Sequence, residues 1–576
     1  MKTRRWNISI RGLLRLEAKS FRVLSTVTDS EGKTVLSLAG SEVSLAPHAE
    51  TTVSHSGTVI QPNLWSPDLP YLYQLTSTVE SGGVTQDSVS TNIGIRTFAF
   101  SPTDGFSMNG KRIVLHGANR HQEYPYIGYA LSEAATARDA VFIKAAGLNM
   151  IRTSHYQVHP AFLEACDKMG VLVMEAIPGW QFYTDTEVFK NACYDSIREM
   201  IRRDRNHPSI IMWEASLNET NMPPTFKAEC HRIAHEEYPG DQCYTYCNNS
   251  QPPYDVVQGG KGNRYIREYG DWGFGGNEST SRQRRGSGED AMLHQAWNFA
   301  WDRNRCLSDE GSSGAGYWGF VDYNRGAPGI ETSGVMDLYR LPKFAYYWSQ
   351  SQRDPAVTVH GVGGPMLFLA NYWDARYSLT KVVCFSNCEE VELFINGKSF
   401  GKRKPDDGPD VDYNDITKAG YGGRGSGGFP WSGGCQKHLT HPAFTFTDVP
   451  YAPGELKAIG HIKQSAAAQQ IVLTPKNPVK TEVSFDLQGI TATANDVVLV
   501  RASLLDRNNT VAPTDSSPVT FRVTSGPGEL IGTNPINAEA GIATILLRTT
   551  GVKGAITVSA GAENVTREGT GTITTR

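Results

Sequence analysis

Two acidic residues in this chain follow runs that otherwise read as buried strand. The stretch SIIMWEASLNETN (209–221) passes through Ile210, Ile211, Met212 and Trp213 and within six residues of Trp213 reaches Asn218 and Glu219. The stretch YIREYGDW places Glu268 at the end of a second β-type run. A lone Glu after a strand is usually a solvated loop residue. Two of them, each at the C-terminal end of a strand, form the pair that can flank a glycosidic bond, one carboxyl protonating the leaving oxygen while the other attacks the anomeric carbon.

Such a pair needs a rigid frame. Between about 105 and 350, short apolar segments (RIVLHG, LNMIRT, VLVMEA, SIIMWEA, CYTYC, YDVVQ, RYIREYG, AGYWGFVDY) alternate with helical stretches such as SEAATARDAVFIKAAG, HPAFLEACDKMG and DSIREMIRRDRN. Each segment is followed by a connection long enough for a crossover. A parallel (β/α)8 barrel over 101–353 fits this better than an open doubly wound sheet, and its strand ends converge on one face. The flanks have a different texture. Residues 1–100 alternate apolar and polar positions between turn residues, as in an immunoglobulin-like β-sandwich. Residues 354–475 return to strands, with NGK as a hairpin signal and a glycine-rich stretch at 418–434. That stretch lacks the strand-to-helix context of a phosphate loop and reads as a mobile loop. A last immunoglobulin-like β-sandwich covers 476–576. The fold class is thus multidomain: a TIM barrel flanked by β-sandwich domains.

Composition narrows the ligands. A chain of 576 residues should hold three or four domains. A net charge of −4 and a pI near 6.4 leave no electrostatic footprint for nucleic acid or anionic membrane, so a polar ligand is favoured. No run approaches the ~18 to 20 apolar residues of a membrane span. The N-terminus MKTRRWNISIRGLLRLEAKS does not read as a signal peptide, and the compartment stays open. The sequons at Asn508 and Asn564 matter only in a secreted chain. The nine Cys form no CxxC motif and no Cys/His cluster at zinc spacing, and Cys384 and Cys388 read as small buried strand residues. The 11 Trp and 24 Tyr would suit stacking on sugar rings, although most aromatics fill cores.

The sequence resembles glycoside hydrolase family 2, the β-galactosidase and β-glucuronidase family. NMIRTSHYQVHPAFLEACDKMGVLVM (149–174) resembles its first signature and DRNHPSIIMWEASLNE (204–219) its second; LWSPDLPYLYQL, IGIRTFAF and MNGKRIVLHGANRHQE resemble the approach to its barrel. The resemblance implies that Glu219 is the general acid/base and Glu268 the nucleophile. It also implies that Asn218 bonds the sugar 2-hydroxyl, that His121 and His155 contact sugar hydroxyls, and that Trp318 on the eighth strand forms the floor. Arg152, ending the second strand, is a suitable cationic donor to Glu268. Tyr269 and Tyr254 are alternatives for a tyrosine that donates to the nucleophile. The acid is expected to be buried, which with the second carboxylate would keep it protonated.

Several positions depart from the family pattern. Gln157 stands in place of a Pro. Glu214 stands in place of a small residue, where it either alters the acid's pKa or pairs with an Arg. MEAIPGWQF lacks the Glu and His of the magnesium-using β-galactosidases, so no catalytic metal is expected and no organic cofactor is implied. IETSGVMDLYRLPK has Glu331, Thr332 and Ser333 before Gly334 where glucuronidases carry an Asn-x-Lys; a Glu there would repel a uronate. The jelly-roll sugar-binding domain of roughly 150 to 200 residues that usually opens family members is not seen ahead of the first sandwich.

The expected activity is a retaining exo-β-glycosidase of β-galactosidase type acting on a glycoside or oligosaccharide, with carboxyl groups about 5 to 5.5 Å apart. The rivals are the same enzyme acting on glucuronate, mannose, glucosamine or galactofuranose, and a catalytically impaired carbohydrate-binding protein. The terminal β modules are expected to pack on the barrel or mediate homo-oligomer contacts, with polysaccharide binding left open beside these.

Overall fold

The computed structural model describes residues 4–10, 19–47, 49–240, 243–244, 255–257, 263–270, 282–325, 329–378, 381–406 and 436–576. At its centre eight parallel strands close in sequence order: β1 (Leu115–Arg120), β2 (Met150–Thr153), β3 (Leu172–Ala176), β4 (Ile210–Glu214), β5 (Cys243–Tyr244), β6 (Val256–Val257), β7 (Asn263–Tyr269) and β8 (Ser312–Tyr317). The last pairs back onto the first, Leu115 opposite Gly314. Helices α1 (Glu133–Ala145), α2 (Pro160–Met169), α3 (Glu187–Asp204) and α4 (Pro224–Glu237) follow β1 to β4 in turn, α5 (Glu289–Leu307) follows β7, and α6 (Phe344–Ser351) follows β8. The expected (β/α)8 barrel is present.

The strands read as continuous apolar runs because both faces are covered. Leu115, Met150, Leu172, Met212 and Tyr265 fill one core, while Ile151, Val173, Trp213 and Ala315 belong to another with Phe142, Phe162, Ile197 and Phe226 of the helices. Gly117 and Gly316 make room for the Tyr265 ring: a Cβ on either would lie 2.5 or 2.8 Å from its hydroxyl. Local signals set the helix ends. Ser132 caps α1 by accepting from Ala135 N at 3.1 Å, and Pro160 opens α2. Gly170, at φ +67°, ends α2 and turns the chain into β3.

The flanking modules are antiparallel sheets. The first pairs Thr34–Ala39, Lys19–Thr28, Tyr73–Ser81 and Val84–Ile93, with Arg4–Ile10 on Thr51–Gly57 as a second sheet. It is tied to the barrel by Trp65, whose Nε1 donates to Asp167 O at 2.9 Å, and by Arg96, whose Nη2 donates to Ile210 O at 2.6 Å and whose Nε donates to Pro208 O. In the next module the NGK signal holds: Asn396 (φ +48°) and Gly397 (φ +80°) turn Glu390–Ile395 into Lys398–Arg403. Cys384 and Cys388 are buried free thiols. The glycine-rich stretch 418–434 lies outside the described residues.

The C-terminal module has two four-stranded sheets, one running Lys480–Phe485, Val497–Leu505, Ile542–Thr549, Gly528–Ile531. It packs on the barrel. Asp496 Oδ2 accepts from Arg138 Nη2 at 2.5 Å in a fully buried pair with α1, and Val497, Leu499 and Leu546 cluster with Tyr124 and Ala135. Of the roles open to the terminal modules, packing on the barrel is therefore realised at this end.

Candidate active site

The C-terminal ends of β1, β2, β4 and β7 meet around one guanidinium. Arg152, fully buried on β2, donates from Nη1 to Glu268 Oε1 at 2.7 Å and to Asn119 Oδ1 at 2.9 Å. Its Nη2 reaches Asn218 Oδ1 at 3.0 Å. Its Nε and Nη2 also form a two-pronged contact with Glu214 at 2.7 and 2.8 Å. The expected Arg152–Glu268 contact is thus present, and of the two roles open to Glu214 the structure has the pairing with an Arg.

A second guanidinium that sequence reasoning passed over completes the network. Arg267 on β7 is buried, donates to Asn218 Oδ1, and lies 3.4 Å from Glu214 and 3.5 Å from Glu268. Two cations and two carboxylates so balance beneath the cleft, with Glu268 as the member that reaches solvent, its side chain 21 % exposed. Carboxylate partners of this kind are what make burial of two guanidinium groups tolerable.

Glu219 has different surroundings. It is exposed, so the expectation of a buried acid is not met; a carboxylate beyond the strand end, on a loop at the barrel mouth, has little protein above it. Its backbone holds φ +45°, a region costly for a residue with a Cβ and common at functional sites. Its Oε2 accepts from Trp180 Nε1 at 3.0 Å and from Gln181 Nε2 at 2.9 Å. Both donors come from the loop after β3, where Trp180 bridges to Asn218. A Trp–Gln pair directly after the Pro-Gly turn that ends a barrel strand was the available signal for Trp180 and Gln181.

An aromatic wall borders the carboxylates. His155 lies parallel to Trp318, with ring centroids 5.6 Å apart and planes 9° apart; His121 stacks on Tyr323 at 4.3 Å and meets the Trp318 edge at 5.6 Å. Burial, then the charges of Arg152 and Arg120, push His121 down to about 3, and burial and Arg152 hold His155 well below the usual histidine range. Both imidazoles are therefore neutral near pH 7, each offering one donor and one acceptor. Trp318 is the first residue after β8 rather than part of it, its amide donating to Tyr269 O at 2.9 Å, and its Nε1 has no hydrogen-bond partner among the described residues.

Tyr269 is not in the cleft. Its ring is buried against Phe299 of α5 and Tyr317, in the layer between strands and helices, and burial raises its hydroxyl well above the usual tyrosine range. The register of β7 against β8 shifts twice, between Arg264 and Ile266 and between Ile266 and Tyr269, so alternation does not say which face Tyr269 takes. Tyr254 lies outside the described residues. Gln157 reaches the Ser196 carbonyl on α3 at 3.3 Å, a packing role. Glu331 is opposite Tyr323 in a short antiparallel pair and is not bare: Arg282 Nε is 2.8 Å and Arg325 Nη1 3.5 Å from it.

Comparison with known proteins agrees with this architecture. Residues 103–237 match the family described as "Glycosyl hydrolases family 2, TIM barrel domain", residues 10–96 match "Glycosyl hydrolases family 2" and residues 482–570 match "Glycoside hydrolase family 2 C-terminal domain 5". Residues 378–468 match a domain of unknown function. A protein named beta-galactosidase from Thermoanaerobacter pseudethanolicus is 30% identical, the alignment covering 97% of this chain and 74% of that one. A protein named putative beta-glucuronidase from Formosa agariphila is 25% identical over 68% of this chain and 54% of its own. A solved beta-glucuronidase from glycoside hydrolase family 2 superposes with a TM-score of 0.77 at 20% identity, covering 97% of this chain and 59% of that one. A closed parallel barrel with two glutamates at its mouth, family domains matched in order along the chain, and a relative 30% identical over 97% of this chain lead to one conclusion: the chain belongs to glycoside hydrolase family 2.

Proposed function

We propose that the chain is a retaining exo-β-glycosidase in which Glu268 attacks the anomeric carbon and Glu219 protonates the leaving oxygen, then activates the water that releases the sugar. The observation that carries this reading is the asymmetry around the two carboxylates. Arg152 and Arg267 face Glu268, while the indole and amide donors of Trp180 and Gln181 face Glu219. A group that attacks as an anion is served by cations; one that gives up and regains a proton is served by neutral donors.

The remaining residues take consistent parts. Asn218 Oδ1 is held by Arg152 and Nδ2 lies 3.4 Å from His155 Nε2, which leaves one N–H of the amide to donate to a sugar 2-hydroxyl, a bond that strengthens as the oxocarbenium-like transition state forms. Neutral His121 and His155 suit hydroxyl groups, with Trp318 as an apolar floor. This favours a neutral hexose, and a β-galactoside is the first substrate to test. A second reading, β-glucuronide hydrolysis, is favoured by one observation: Arg282 and Arg325 flank Glu331 and offset the repulsion it would exert on a uronate.

A panel of nitrophenyl β-glycosides tests both readings, with the anomer released first identified by NMR. Retention and turnover on β-galactoside support the first reading; preference for β-glucuronide selects the second. Glu268→Gln keeps the side-chain shape but removes the nucleophile, and should lower kcat by several orders of magnitude, roughly 10⁴-fold or more. Near-normal turnover by that variant places the nucleophile elsewhere.

A further inference from the structure

At the opposite end of the barrel a second group of side chains has the chemistry of a ligand set. His231 and His235 are one helical turn apart on α4, so their rings lie on one face, with centroids 4.2 Å apart. Both point their Nε2 atoms at the same carboxylate: His231 is 3.2 Å from Asp255 Oδ1 and His235 is 2.8 Å from Asp255 Oδ2. Asp255 immediately precedes β6, and α4 runs back from the mouth of the barrel, so this cluster lies at the N-terminal ends of the strands, away from Glu268. Asn263, the first residue of β7, holds the backbone of Asp255 by donating from Nδ2 to Asp255 O at 2.9 Å.

We propose that His231, His235 and Asp255 bind a divalent transition-metal ion of the zinc class, which clasps α4 to the start of β6. One ligand atom from each residue lies within 4.8 Å of the others. A tetrahedral ion with bonds of about 2.0 to 2.2 Å sets its ligands about 3.3 to 3.6 Å apart, so small side-chain rotations suffice. Two imidazoles and one carboxylate suit zinc, cobalt or nickel rather than magnesium or calcium, whose ligands are mostly oxygens. The side chains of His231, His235 and Asp255 are 17, 30 and 10 % exposed, which lets an ion enter from solvent and leaves room for water as fourth ligand. The role is structural, because no carboxylate of the active site is near.

The test uses full-length, tag-free protein, stripped with a chelator and titrated with zinc chloride by calorimetry and with cobalt chloride by visible absorption. One equivalent should bind and raise Tm, and the cobalt spectrum should show tetrahedral nitrogen–oxygen ligation. His231→Ala and the isosteric Asp255→Asn should each weaken binding at least tenfold and abolish the Tm increase. Glycosidase turnover of the folded variants should match that of wild type, which separates this site from the catalytic reading. Absence of saturable binding to wild type overturns the proposal, as does binding of equal strength in Asp255→Asn, which would move the ion to other side chains.

Discussion

Glu214 accepts both arms of Arg152, at 2.7 and 2.8 Å, directly beneath the contact that the same guanidinium makes with Glu268. A carboxylate at this position therefore acts on the site through Arg152, fixing the plane in which its third nitrogen can meet Glu268.

Removing that support should be costly. Glu214→Ala leaves Arg152 and Arg267 facing one carboxylate where there were two, and breaking a buried pair from one side costs about 3 to 5 kcal/mol of stability. Turnover should fall roughly 10²-fold, the scale expected when a group holding a reacting residue is lost. Urea unfolding together with kcat and KM on the best nitrophenyl substrate measures both; wild-type values in the variant would make the pair incidental.

Glu219→Gln should show its effect through the leaving group. A good leaving group departs without a proton, so aryl glycosides with acidic phenols should lose little in the first step. Alkyl or disaccharide substrates should lose roughly 10²- to 10⁴-fold, the usual scale of general acid catalysis. An equal loss across leaving groups would argue against the acid role.

The depressed His121 links folding to acid pH. Its folded value is about 3 against an ordinary 6.5, so its contribution to stability is present above pH 6.5 and is lost progressively as pH falls towards 3. At pH 5 the loss is about 2 kcal/mol. His155, held low in the same way, adds to this, so denaturant unfolding at pH 7 and pH 5 should show a drop of at least that size in wild type and a smaller one in His121→Gln. Equal drops in both would place the acid sensitivity elsewhere.

The buried Arg138–Asp496 pair joins α1 to the C-terminal module. Asp496→Asn should destabilise that contact by about 3 to 5 kcal/mol. Limited proteolysis should then release the module before the barrel unfolds. Cleavage at the wild-type rate would show that the apolar contacts around Tyr124 suffice.

Much of this arrangement was legible in the residues, for reasons that also explain the exceptions. Apolar runs between crossover-length connections expose a barrel, and a glutamate ending such a run is visible because it breaks an apolar pattern. Glu219, just beyond the run of Ile210 to Trp213, belongs to that class, while the role of Glu268 came with the family resemblance. Arg267 was hidden because a charged residue inside a strand looks solvated until the partners that neutralise it are known, and those lie on β2 and β4. Tyr269 was misplaced because two register shifts in β7 undo the alternation that would have told inside from outside. His231 and His235 carry no ligand-set signal by themselves, because Asp255, the carboxylate they share, belongs to a different element and no cysteine marks the spacing.

Arg96 and Trp65 carry a practical consequence for protein engineering. Arg96 holds the carbonyls of Pro208 and Ile210, where β4 begins, and the far end of β4 leads to Asn218 and Glu219. A chimera that exchanges the leading sandwich would remove these anchors and let the catalytic strand settle in a new position. Donor modules should accordingly be chosen for an arginine and a tryptophan able to seat in the same two sockets, rather than for overall similarity of shape.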